Sequence, residues 1–133
     1  MAKRYLLDTN VLSCLIRRPA DLASKIGSIG EDRLCTSIVV AAELRFGALK
    51  KKAQVLTARV EQLLDTLDVL PLEGNVDQVY AAIRARLESS GRQIGGNDCW
   101  IAAHALSAEC TLVTDNVQEF RRVPNLAVEN WLR

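Results

Sequence analysis

Residues 4–13 read RYLLDTNVLS, a short apolar run that stops at Asp-Thr-Asn before a second apolar stretch begins. This order is that of a buried strand running into the first turn of a helix. An acid followed by small polar residues supplies the acceptors that the free N–H groups of a helix start require. The same grammar recurs at 111–120, TLVTDNVQEF, and in a looser form at 33–37, where RLCTS leads into IVVAAELRFGALKKK. DVLPL at 68–72 gives a third strand, TLVT a fourth, and LAVEN at 126–130 a candidate terminal one. Helical spacing fills the intervals: Val11 to Arg17, ADLASKIGSIG closed by Gly30, Gln54 to Leu67, Val76 to Ser90 stopped by Gly91, and Asn97 to Ala108. NVQEF reads as a short capped turn, with Asn116 and Glu119 at capping-box spacing. Strands that alternate with helices predict an α/β fold. Its expected form is a three-layer α/β/α arrangement, with a central, mainly parallel sheet of four or five strands and right-handed crossovers.

The chain of 133 residues is 49% hydrophobic and 25% charged, with the apolar residues spread throughout, so a single folded domain over 1–133 is expected. No uncharged run approaches the roughly 20 residues of a membrane span. The start, MAKRYLLDTN, has neither the apolar stretch nor the small-residue cleavage site of a signal peptide, which points to a cytoplasmic protein with no membrane partner. Cys14, Cys35, Cys99 and Cys110 are scattered without a CxxC and read as small core residues in a reducing compartment. A net charge of +1 leaves the question of a nucleic-acid partner to local charge.

In a parallel α/β sheet, ligands bind outside the carboxyl ends of the strands, and acids placed there are the informative residues. Asp8 and Asp115 each follow an apolar strand. Asp98 opens a helix behind the glycine pair Gly95-Gly96, which lets a backbone approach closely. Capping accounts for any one of these acids alone. It does not account for Glu43, in mid-helix with Val39 and Val40 a turn before and Phe46 and Gly47 a turn after, because an unpaired buried carboxylate costs several kcal/mol and needs a cation or a proton. No Arg or Lys lies one turn from Glu43. Three or four carboxylates at the mouth of a sheet supply the hard oxygen donors that Mg²⁺ or Mn²⁺ prefers, and a metal so held can generate hydroxide beside a phosphate. Phosphodiester hydrolysis is the predicted chemistry.

LLDTNVLS at 6–13, SIVVAAELRFGALK at 37–50, GRQIGGNDCWIAAHAL at 91–106, and TLVTDNVQEF at 111–120 followed by RVPNLAVENWL, in this order and spacing, resemble a PIN-domain ribonuclease of the VapC toxin class, including its FitB-like relatives. The resemblance implies a toxin of a type II toxin–antitoxin system. Asp8, Glu43, Asp98 and Asp115 would gather around one or two Mg²⁺ ions, with Mn²⁺ as a substitute, and activate water against RNA, in a tRNA or rRNA loop whose loss stops translation and growth. It further implies supporting roles for Thr9, Asn10, Ser37, Asn97 and Thr114. Its partners would be a homodimer mate and a VapB-like antitoxin, whose carboxyl-terminal arm reaches the active site, within toxin–antitoxin hetero-oligomers that meet DNA only through the antitoxin. Gln93 and Gln118 depart from the proline and arginine frequent in such proteins.

His104 is six positions beyond Asp98, about 120° around the helix, and is discounted as a catalytic acid. Trp100 and Trp131 read as packing, and the amphipathic stretches at 54–67 and 75–90 as a source of spare apolar surface for dimerisation. Arg17, Arg18, Lys50 to Lys52, Arg84, Arg86, Arg92, Arg121 and Arg122 are candidates for holding phosphates. Two other classes are open to such a chain. A phosphoryl-transfer or receiver domain also begins with a strand ending in Asp, but Asn10 stands where the former needs a second acid. A binding module would use the acids to receive a basic segment.

Overall fold

The computed structural model describes residues 3–132 and contains β1 (Arg4–Leu7), α1 (Thr9–Arg17), α2 (Ala20–Ile29), β2 (Leu34–Ser37), α3 (Ile38–Lys51), α4 (Gln54–Thr66), β3 (Asp68–Leu70), α5 (Val76–Ser89), α6 (Gly96–Ser107), β4 (Cys110–Val113), α7 (Val117–Phe120) and β5 (Val128–Glu129). The five strands form one sheet in the order β3-β2-β1-β4-β5, and each neighbouring pair is parallel. From β1 the chain steps outward to β2 and β3, then crosses back to β4 and β5 on the other side. Right-handed crossovers running in opposite directions send their helices to opposite faces. Hence α1 to α4 cover one face, and α5 and α6 the other.

The reversal of direction falls between β1 and β4. Their register, Leu6 beside Leu112 and Leu7 beside Val113, brings the two carboxyl ends level. The Asp8 N–H extends the ladder by donating to the Val113 carbonyl at 2.9 Å. A crevice opens at such a switch point because the connections leave in opposite directions. Asp8 and Asp115 border it.

Leu6, Leu7, Leu112 and Val113 are fully buried, as two-sided coverage of a parallel sheet requires, and each contributes about 1.5–3 kcal/mol by leaving water. In α6, Ile101, Ala102, Ala103 and Ala105 are fully buried, so the helix start that carries Asp98 is anchored in the core. Helix α2 ends at Gly30, whose φ of +101° suits glycine, and a Cβ there would meet Asp32 Oδ1 at 2.9 Å. Pro71, lacking an N–H, follows the last residue of β3.

Several local expectations change. Arg33 belongs to a 3-10 turn at Glu31–Arg33, not to β2, and its Nε donates to the Lys3 carbonyl at 2.7 Å. The capping box at Asn116 does not form: Asn116 Nδ2 donates to Glu119 Oε2 at 2.6 Å, and neither side chain caps the backbone. The spare apolar surface lies mainly on α3 rather than on α4 and α5. Phe46 and Leu49 are 64% and 68% exposed and Val55 of α4 67%, whereas α5 buries Val76, Ile83 and Leu87. Trp100 stacks on Tyr80 at 3.9 Å, and Trp131 is tilted against Tyr5 at 5.3 Å. Among the described residues, no helix is long and apolar enough to cross a membrane.

Candidate active site

Asp8 caps α1: its Oδ1 accepts from the Thr9 N–H at 2.8 Å, while Oδ2 accepts from the Thr114 hydroxyl at 2.8 Å and more weakly from Asn10 Nδ2 at 3.5 Å. Burial raises its pKa, and the Glu43 charge adds to the rise, while the bonds from Thr114 and Thr9 oppose it. Asn10 ties the two strand ends together. Its Nδ2 reaches Thr114 Oγ1 at 3.3 Å, and its Oδ1 accepts from the Asp115 N–H at 2.9 Å. Capping and site formation are therefore one arrangement at Asp8.

Glu43 projects from the rim of α3. The helix buries Val40, Ala41, Leu44 and Ala48, while Glu43 is half-buried at the edge of that stripe and Phe46 a turn later is exposed, so its surroundings are less apolar than the local sequence implies. Neutral donors hold both oxygens: Thr9 Oγ1 donates to Oε1 at 2.5 Å, and Asn97 Nδ2 to Oε2 at 3.2 Å. The four ion pairs among the described residues, Arg4–Asp68, Arg18–Asp21, Arg45–Glu61 and Arg84–Glu88, take none of Asp8, Glu43 and Asp98.

Asp98 lies in the first turn of α6, where Gly95, and not the acid, is the cap. Its pKa is pushed up to about 7, first by burial, then by a hydrogen bond shared with Glu119, then by the charges of Asp8, Glu119 and Glu43. Two carboxyl groups can share a hydrogen bond only when one is protonated. Glu119 is thus a fifth acid at the crevice, masked in the sequence by its capping-box spacing to Asn116. The only signal for it was its place one turn beyond Asp115. The glycine pair relieves no positive φ. A Cβ on Gly96 would meet nothing within 4 Å, and one on Gly95 would meet Asp98 Oδ2 at 3.9 Å, so the pair leaves the approach to Asp98 open.

Ser37 stands apart from the acids. Its hydroxyl caps α3 by accepting from the Val39 N–H at 3.0 Å and lies 2.7 Å from His104 Nδ1. His104 is buried, which lowers its pKa, and the Pro71 carbonyl bonds to the ring. A carbonyl only accepts, so the ring proton faces Pro71 and Nδ1 accepts from Ser37. The pair braces α6 against the start of α3. Asp115 is half-buried beside Asn10. Thr114, beneath it, also accepts from the Asn116 N–H at 3.0 Å.

Comparison with known proteins gives this crevice a lineage. Residues 5–126 match the PIN domain family. The chain is 37% identical over 131 residues to ribonuclease VapC2 of Haemophilus influenzae, covering 97% of this chain and 98% of that one. The chain belongs to the PIN-domain family, in its VapC group. The tRNA(fMet)-specific endonuclease VapC of Shigella flexneri is 33% identical over 130 residues, covering 96% of this chain and 98% of that one. The DNA-bound VapBC complex of Salmonella typhimurium superposes with a TM-score of 0.90 at 32% identity over 97% of this chain and 98% of that one. The five-stranded parallel sheet is thus the PIN-like α/β/α fold.

The donor set of this PIN domain suits a hard divalent cation: carboxylate oxygens, crowded and mutually repelling, with hydroxyl and amide donors behind them. No group of three or more His, Cys, Asp or Glu side chains among the described residues converges closely enough to enclose a metal ion. Carboxylates repel each other apart unless a cation draws them in.

Proposed function

We propose that this PIN domain is the toxin of a type II toxin–antitoxin system, a Mg²⁺-dependent endoribonuclease that also accepts Mn²⁺. In this reading Asp8, Glu43 and Asp98 hold the metal, and Asp115 binds a second ion or orients water. When bound, the divalent ion supplies a hydroxide nucleophile near neutral pH and neutralises charge building on the phosphate. The chain's own residues prepare that state. Thr9 and Asn97 fix both oxygens of Glu43, Thr114 and the Thr9 N–H fix both oxygens of Asp8, and Asn10 locks β1 to β4, so that the acids turn little when RNA arrives. Asp98, whose pKa burial and the neighbouring acids raise to about 7, is the group that must lose a proton before it can hold a cation.

The observation that carries this reading is the clustering of acids at the switch point with only neutral partners for Asp8 and Glu43. The substrate is read as a tRNA or rRNA loop, by likeness to the Shigella enzyme and because a looped single strand offers its backbone to a crevice better than a duplex. Cleavage there would stop translation and growth in the cytoplasm. The partners are read as a homodimer mate, supported by exposed Phe46 and Leu49, and a VapB-like antitoxin whose carboxyl-terminal arm inserts near the acids and which alone meets DNA.

The decisive assay incubates the purified chain with total cellular RNA in Mg²⁺, Mn²⁺ or EDTA, alongside Asp8→Asn and Asp98→Asn. Discrete cleavage that needs metal and both acids is expected, and sequencing the new ends names the target. Intact RNA in every lane, with tight binding to a basic partner segment, would establish a binding module instead.

A further inference from the structure

Two grooves leave the acidic crevice along α1, one on each side. The first, about 340 Å³, passes from Thr9 and Glu43 between α1, α3 and α4 to Leu56 and Val60. The second, about 470 Å³, opens on Asn10 and Asp115 and follows α1 and the neighbouring end of α2 to Arg17 and Arg18, with Trp131 in its wall. We propose that the second groove carries the RNA strand next to the scissile phosphate, with Arg17 and Arg18 as positioning residues for its backbone phosphates. This rests on the nuclease reading above and says which basic residues serve it.

Arg17 and Arg18 are the basic residues that line the second groove; Arg17 also lines the first, beside Lys51, so Arg18 is the one that sets the second apart. Arg4, Arg45 and Arg84 are each within 2.9 Å of an acid in an ion pair, so their charge is already answered. Arg17 has no ion pair among the described residues, its Nε making only a 3.4 Å bond to the Ser13 carbonyl. Arg18 faces Asp21 at 3.9 Å, with both side chains more than half exposed, a contact that water weakens. Geometry supplies the spacing: from Asn10 to Arg17 the helix rises about 10 Å at about 1.5 Å per residue, which sets the guanidinium groups off from the crevice along the groove. The crevice itself repels phosphate until a cation occupies it, so a strand needs cations on its flank to stay in place.

The wall also says how the strand is gripped. Trp131 is buried, its Nε1 is held by Glu129 at 2.9 Å, Tyr5 leans on it, and Lys25 Nζ lies 5.8 Å over its ring. Its ring is therefore not free to stack on a base. The grip is on the backbone, and Lys25 adds a third cation beside it.

The test uses the full chain carrying Asp98→Asn, so that RNA survives, and a fluorescein-labelled single-stranded RNA of mixed sequence, read by anisotropy across a salt series with Mg²⁺ present. Adding Arg17→Ala and Arg18→Ala is expected to weaken binding about tenfold near 0.1 M salt and to flatten the slope of log K against log salt by about 1.4, about 0.7 for each phosphate that is no longer neutralised. Arg17→Lys with Arg18→Lys keeps the slope, and Lys51→Ala with Lys52→Ala leaves it unchanged. Cys14 provides a second readout: it lines this groove and is half-buried, whereas Cys35, Cys99 and Cys110 are buried. RNA is expected to slow its alkylation by iodoacetamide. If the wild-type chain leaves RNA intact in every metal, the nuclease reading falls and this assignment with it; if the wild-type chain cleaves RNA but the Asp98→Asn parent binds none, only the groove assignment is overturned. If the parent binds but the double alanine variant keeps the same slope, or if the Lys51/Lys52 variant loses as much, only the groove assignment is overturned. Protection of Cys14 by an antitoxin arm and not by RNA would give the groove to the protein partner.

Discussion

Asp98 is held in an environment that favours its neutral form, yet the proposed chemistry needs it charged. Replacement by Asn keeps its shape and removes the charge that Asp8, Glu43 and Glu119 oppose. Activity on RNA is expected to fall by about 10²–10³ or more, the scale on which removal of one group stabilising the transition state is felt. Single-turnover kinetics at saturating Mg²⁺ measures the loss. Thr9 tests the layer behind: Thr9→Val keeps the helix start and deletes the hydroxyl on Glu43 Oε1, so kcat is expected to drop about 10- to 100-fold with the fold intact by circular dichroism. An unchanged kcat would mean that Glu43 needs no such orientation. At this scale the nearness of Asp8, Glu43 and Asp98 could be read because capping explains each acid at a helix start alone but not Glu43 in mid-helix, so the acids had to be taken together. Glu119 was not legible, because its three-residue spacing from Asn116 imitates a cap. Ser37 was legible only as a polar residue below Glu43; its bonds to Val39 and His104 depend on how α6 crosses α3, which no local pattern contains.

Between elements, the Ser37–His104 contact is the clearest strut. Ser37→Ala removes the α3 cap and leaves His104 Nδ1 without its donor, both in the interior. The first loss is worth about 1 kcal/mol and the second about 1–3 kcal/mol, so a destabilisation of about 2 kcal/mol or more is expected by urea unfolding. A loss below about 0.5 kcal/mol would mean that water replaces the hydroxyl. Most elements were readable because two-sided burial writes strands such as RYLL and CTLV as short apolar runs, and Gly30 and Gly91 end helices by the left-handed turns they allow. Element ends drifted by a residue where tertiary contacts took over. Arg33 left β2 to hold the Lys3 carbonyl, and Thr114 left β4 to hold Asp8. Strand order could not be read locally at all, since the step from β3 across to β4 depends on which face α5 and α6 cover.

In the whole molecule, a site of gathered negative charge exacts a cost from the fold that should vary with pH. Asp98, at about 7 against an ordinary 3.8, keeps in the folded, metal-free protein a proton that the unfolded chain releases. Its stabilising contribution is therefore full below about pH 4, declines as the pH rises through 7, and is constant beyond; Asp8, also raised, acts with the same sign. His104 opposes this, since its lowered pKa makes the fold reject a proton that the unfolded chain binds below about 6.5, so stability falls there as the pH falls. Subtraction separates them. The melting temperature of Asp98→Asn minus that of the parent, both in EDTA, is expected to grow from pH 4 to pH 7 and then level off, because His104 contributes equally to both. Metal should reverse the sign of the comparison: a divalent ion that binds only the folded state stabilises by mass action, so millimolar Mn²⁺ is expected to raise the parent's melting temperature more at pH 8 than at pH 5, and that of Asp98→Asn little at either. An equal rise in both proteins would place the ion away from Asp98 and leave the raised pKa a property of crowded acids alone.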